Sequence, residues 1–175
     1  MRVAWNGTSD WRAEVCEVVF SESGLVATGA QLGSAPEPYR AAYELEVRGD
    51  WATRRLRVEV AGVGSLELRH DGKGTWAGVP NAADLEGVLD CDLAFSPLTN
   101  VMPVRRHGLH EQPGAVDFAM AWVSLPDLRV FRSEQRYEHL APGRVRFSSG
   151  DFTVDLELDE HGLVVDYPGL ARRTH

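Results

Sequence analysis

The run DLAFSPLTNVMPVRRHG, residues 92–108, gathers the side chains of this chain best able to do chemistry. Asp92 interrupts an apolar strand pattern, LDCDLAF, so its carboxylate must find donors or give up its charge. Pro97 and Pro103 cannot donate to a sheet ladder, and the chain between them must leave regular pairing. Thr99 and Asn100 suit a turn in which side chains bond nearby backbone. In an extended segment Arg105 and Arg106 point to opposite faces. One of them could pair with Asp92 or Asp90 in a buried, charge-assisted contact, leaving the other for solvent or a ligand. Two readings follow. The segment is a crossover knitted by an Asp–Arg pair, or it lends Thr99, Asn100 and an arginine to a pocket walled by Phe95, Leu98, Val101 and Met102. Apolar walls with a few convergent polar groups are what an amphiphile needs.

Catalytic chemistry finds less support. Asp92 and Asp166 could form a carboxylate pair for acid–base work in a sugar cleft. No nucleophile elbow, zinc-protease motif, phosphate-binding glycine loop or dinucleotide fingerprint occurs. Cys91 beside Asp92 lacks a base, and His107 and His110 with Glu111 are too sparse a set for a metal. No catalytic residue, metal or cofactor is expected.

The elements that must position these residues are strands. Tyr43, Leu45 and Val47 share one face, as do Leu56, Val58 and Val60, then Leu66 and Leu68. Val116, Phe118, Met120 and Trp122 repeat the pattern, and so do Phe152, Val154, Leu156 and Leu158. Short turns such as HDGKG, SSGD and DEHG separate them, which makes a meander of roughly ten antiparallel strands. The expected fold is all-β, one domain over residues 1–175, with residues 1–13 loosely packed. It is a rolled antiparallel sheet, a spiral β-roll or open barrel, with at most one or two short helices. The best helix candidate spans residues 80–89, capped by Asn81, with Leu85, Val88 and Leu89 on one face. Ala119 and Ala121 form a face of small residues, whose space a neighbouring element or an apolar ligand tail must fill. The stretches LELRHDGKGTWAG and LELDEHGLVVDYPG echo one another and suggest two similar half-sheets. On strand RVFRSEQRYEH, Arg132, Glu134 and Arg136 make a charge ladder of the solvated kind.

Composition narrows the partners. The 175 residues carry a formal net charge of -8, which disfavours nucleic acid. No run of apolar residues is long enough to span a bilayer. The opening MRVAWNGTSDW carries no signal-peptide pattern, and Cys16 and Cys91 sit in apolar stretches as buried thiols. A cytoplasmic location is the expectation.

The pattern Asp92, Pro97, Thr99, Asn100, Pro103, Arg106 resembles the bacterial "putative glycolipid-binding" family. Four further blocks agree: YELEVRGDWATRRLRVEV with Trp51 and Arg54, LRHDGKGTWAG with Trp76, QRYEHL with Gln135 and Tyr137, and GLVVDYPGLARR with Asp166, Tyr167 and Pro168. The resemblance covers roughly residues 14–173. It implies a spiral β-roll similar to periplasmic lipoprotein carriers, which shelter acyl chains, and no established catalytic roles. The expected function is therefore non-enzymatic binding of a glycolipid or other amphiphile in an apolar groove, with polar groups from residues 97–106. The ligand set expected is Trp76, Asp92, Thr99, Asn100, Arg105, Arg106, Tyr137, Asp166 and Tyr167. The alternatives are an interaction module that forms a homodimer without a ligand, its cue an exposed AMAWV strand, and a sugar-active enzyme using Asp92 and Asp166.

Overall fold

The computed structural model describes residues 1–175, and nearly all of it is one fourteen-stranded sheet. Chain order gives β1 (Arg2–Gly7), β2 (Arg12–Ser21), β3 (Gly24–Gly33), β4 (Tyr39–Arg48), β5 (Thr53–Val60), β6 (Gly64–His70) and β7 (Trp76–Ala77). A second run follows: β8 (Asp90–Leu93), β9 (Ala115–Val123), β10 (Val130–Ala141), β11 (Arg144–Ser149), β12 (Phe152–Leu158), β13 (Val164–Tyr167) and β14 (Ala171–Arg173). Neighbours in the sheet run β7 to β1, then β14 back to β8, so β1 and β14 join two meanders at the centre. Every pairing is antiparallel except β8 with β9, which a crossover makes parallel. The sheet curls until β8 reaches β5, where the Thr53 amide donates to Leu89 O at 3.1 Å and the Cys91 amide to Thr53 Oγ1 at 3.0 Å. The expected all-β roll is the fold found.

Details depart from expectation where contacts are distant in sequence. The N-terminal segment expected to be loosely packed carries β1, paired on both sides. Trp5 within it is buried, and its indole N–H donates to Val164 O at 2.8 Å. The helix candidate at residues 80–89 shrinks to a 3-10 turn, Ala82–Leu85. Asn81 does not cap it, because its side-chain amide instead donates to Val130 O at 3.1 Å. The helical element lies elsewhere: a 3-10 turn over Pro97–Asn100 runs into a short helix α1, Val101–Arg106. Pro97 opens that turn, where a missing amide N–H costs nothing.

This helical segment plugs the roll. Leu98, Val101, Met102 and Val104 are each 0% exposed, and together they join the cores of both meanders. Burying each such side chain is worth ~1.5–3 kcal/mol, so the interior is held shut by its own chain. The face of small residues on β9 is filled likewise, Ala119 and Ala121 being buried within the main core. The sequence echo has a counterpart in the turns. After β6, Asp71 Oδ1 accepts the amides of Lys73 and Thr75; after β12, Asp159 Oδ1 accepts those of His161 and Leu163. These hairpins hold matching places in the two meanders once the β1–β14 pair is set aside.

Candidate functional site

A groove of about 640 Å³ remains between the plug and the second meander. Alternation puts its walls in place: Trp122 of β9, Phe131, Ser133 and Gln135 of β10, Phe147 of β11, Phe152 of β12 and Tyr167 of β13 share its side. Phe95, Ser96 and Asn100 supply the plug side, and Asp92 lies between. Its aromatic rings pack on one another, with centroid separations of 6.0 Å for Trp122–Phe131 and 6.1 Å for both Phe147–Phe152 and Phe147–Tyr167. Phe95 is held at φ +66°, a left-handed backbone that disfavours a side-chain-bearing residue.

Neutral donors alone hold the groove carboxylate. Thr99 donates to Asp92 Oδ1 at 2.7 Å and the Gln135 amide donates to Oδ2 at 2.8 Å. Burial pushes this carboxyl above its ordinary range, the two hydrogen bonds pull back, and nearby Asp90 adds to the rise. With Nε2 committed to Asp92, Gln135 Oε1 is buried and accepts nothing. Asn100 is fixed from both ends, donating to Pro97 O at 3.1 Å and accepting the Tyr137 hydroxyl on Oδ1.

A second buried acid adjoins the site. Glu14 of β2 accepts the Tyr43 hydroxyl at 2.5 Å and the Ser96 hydroxyl at 2.7 Å on one oxygen. Burial raises it to about 7, against the pull of those bonds. The Ser96 bond ties the groove's plug wall to the first meander. The two cysteines are inert by the same physics, since burial pushes the Cys16 and Cys91 thiols up to about 12.

The nine residues expected to bind divide. Asp92, Asn100 and Tyr167 line the groove, while Thr99 and Tyr137 lie behind it and orient Asp92 and Asn100. The other four lie outside its lining. Trp76 is a core residue, its N–H on Val88 O at 2.7 Å and its ring 4.9 Å from His70. Arg106 forks onto Asp90 and also donates to Trp51 O at 2.6 Å, clamping the turn between β4 and β5. Arg105 lies over the Trp51 ring, 4.8 Å from its centroid. Asp166 belongs to the face opposite Tyr167, where Arg172 donates to it at 2.8 Å. Polar contribution from residues 97–106 therefore narrows to Asn100 at the groove surface.

The model of the family described as "Putative glycolipid-binding" matches residues 2–173. The chain belongs to this family. It is also similar to the crystal structure of a DUF1089 family protein from Pseudomonas aeruginosa, with 28% identity and a TM-score of 0.77. That match covers 95% of this chain and 93% of the other. No curated protein matches. No helix is long and apolar enough to cross a membrane.

Several groove residues of this family member escape sequence reasoning. Trp122, Phe131, Phe147 and Phe152 come from four different strands, and nothing local announces that they converge. Glu14 left a fainter signal. Once Cys16 is read as buried, strict alternation places Glu14 and Arg12 on the same inward face.

Proposed function

We propose that the protein binds a hydroxylated amphiphile, of the glycolipid kind, in this groove and does not turn it over. The observation that carries the reading is Gln135, a groove residue whose unpaired Oε1 is buried and comes within a ligand's reach when the amide turns toward the groove. A buried acceptor without a donor costs about 1–3 kcal/mol, and a ligand hydroxyl would satisfy it. Aromatic walls beside it suit the faces of a sugar ring or the start of an alkyl chain. The volume falls within the range of small-molecule sites. The family description points the same way.

Binding without turnover is favoured because Asp92 is the one carboxylate lining the groove. Sugar hydrolysis by the usual route needs two, and Asp166 is turned away onto Arg172. The cue for a ligand-free interaction module, an exposed AMAWV strand, is not met, since Ala119, Met120, Ala121 and Val123 are buried.

Calorimetric titration with dodecyl maltoside below its micelle concentration tests the proposal. Saturable binding is expected, weakened about tenfold in Gln135→Leu by loss of one hydrogen bond in a dry site. Trp122→Ala should weaken it as well. Binding untouched by either change, or no binding, would overturn the reading. Native mass spectrometry of protein prepared without detergent, with extraction of any retained lipid, supplies the independent check.

A further inference from the structure

Beside the groove lies a second cavity of about 590 Å³, lined by Arg12, Asp10, Glu37, Pro36, Ser124 and Pro126 among others. It shares Phe95 and Trp122 with the groove, so these two rings form a common wall. Arg12 is the unusual residue here. It is only 8% exposed, yet it forms no ion pair and its Nε–H is buried without an acceptor. A buried charge is ordinarily paired, because desolvation is otherwise uncompensated. The Phe95 ring, with its centroid 3.8 Å from the guanidinium carbon, is the main support. That contact holds the plane of the guanidinium, which also reaches the Tyr39 hydroxyl and keeps its Nε–H without an acceptor. Planar donors held this way match a phosphate or carboxylate in two-point contact.

The rim carries the opposite charge. Asp10 and Glu37 are exposed, line the same cavity and have no arginine partner, whereas Asp127 has Arg129 at 4.0 Å. Carboxylates there oppose a net-anionic head group and favour one that brings its own cation.

We infer that Arg12 seats the anionic centre of a zwitterionic head group, with the cationic centre against Asp10 and Glu37 and the hydroxylated and apolar remainder of the ligand in the adjoining groove. This inference rests on the amphiphile-binding reading and adds the charge class of the ligand.

Three probes with the same alkyl chain separate the terms: dodecylphosphocholine, dodecyl phosphate and dodecyl maltoside, each titrated calorimetrically below its micelle concentration. The zwitterion should bind the wild-type protein more tightly than the phosphate. Arg12→Gln should weaken the zwitterion and the phosphate by about tenfold to a hundredfold, the range for charge-assisted hydrogen bonds, and the maltoside far less, through the Phe95 wall alone. The surface pair Asp10→Asn with Glu37→Gln should do the reverse for the two charged probes, improving the phosphate and weakening the zwitterion. That pair carries the test even where thermal unfolding shows Arg12→Gln to be unstable. Equal zwitterion affinity in the wild-type and both variants, with maltoside binding intact, overturns the role of Arg12 and leaves the groove standing. Failure of all three probes overturns the groove and this inference together.

Discussion

Asp90 and Asp92 stand two residues apart on β8, so the pleat sends both to one side of the strand. Both are buried deeply enough that desolvation pushes their carboxyls up. They differ in what answers that burial. Asp90 meets Arg106 in a two-point contact that pulls its pKa back, and Arg106 continues to the backbone of Asp50 and Trp51. Each nitrogen of Arg106 and each carboxylate oxygen of Asp90 has a partner in that knot. Asp92 meets only a hydroxyl and an amide, and the amide leaves one buried oxygen with nothing to accept. The first acid closes the β4–β5 turn onto the plug. The second leaves a hydrogen-bonding vacancy beside aromatic walls. A complete network rigidifies, and an incomplete one is where a ligand gains by binding.

The largest effect should come from breaking the complete network. Arg106→Ala strands Asp90 in the interior, and losing one partner of a buried pair costs about 3–5 kcal/mol. Urea unfolding would register it as a lower midpoint, and joining it to Asp90→Leu should recover much of the loss. Equal stability of Arg106→Ala and wild type would mean that the Asp90 knot is not a clamp.

Next in size is Glu14, the third buried acid, which also lacks a cation partner. Its folded pKa of about 7 exceeds the ordinary glutamate value of 4.5, so the native state holds a proton that the unfolded chain releases. Stability is then full below the unfolded pKa and falls as pH rises through the window up to about 7. The loss is on the order of 3 kcal/mol across that window. Glu14→Gln should flatten the profile and be the more stable protein at pH 8. Parallel pH profiles for the two proteins would remove Glu14 as the cause.

How much of this could be read from the chain depends on the distance between partners. The strands were legible because alternation is local: Leu56, Val58 and Val60 declare their face without reference to anything else. The Arg106–Asp90 pair was among the contacts expected of the segment, because a buried acid and a following arginine have few other options. The plug was legible only in part. Pro97 and Pro103 excluded a strand, but a helix of one and a half turns with no side-chain cap leaves no periodic signal. Thus Arg105 and Arg106, expected to diverge from an extended segment, diverge from a helix end instead. The groove was least legible. Its walls meet across pairings such as Phe131 with Trp122, whose partnership is fixed by register rather than composition. Arg12 and Glu14 hid because charged residues on a strand are ordinarily taken as its wet side.

A smaller effect on stability, but a sharper one on binding, should come from Asp92→Asn. With its oxygen kept on the Thr99 hydroxyl, the new amide would face the Gln135 amide donor to donor unless Gln135 turns over. Turning satisfies Gln135 Oε1 inside the protein and aims an N–H into the groove. Stability should change by less than about 1 kcal/mol, while affinity for the alkyl maltoside falls severalfold. Calorimetry and urea unfolding of the same preparation would separate the two quantities. Unaltered maltoside affinity would show that the vacant acceptor is not what the ligand uses.

The smallest effect belongs to the acid that the residue pattern paired with Asp92 for acid–base work and the sheet places behind it. Asp166 bonds Arg172 from the neighbouring strand β14, at a pairing where the Arg172 side chain is 69% exposed. Exposed ion pairs contribute about 0–1 kcal/mol, so Asp166→Asn should shift the urea midpoint barely at all. It should also leave alkyl maltoside binding unchanged, because the pleat turns Asp166 away from the side that Tyr167 presents to the groove. A loss of binding in Asp166→Asn comparable to that in Asp92→Asn would mean the two carboxylates act together. The groove would then have to open through to the far side of β13, and the contrast between a closed acid and an open one would fail.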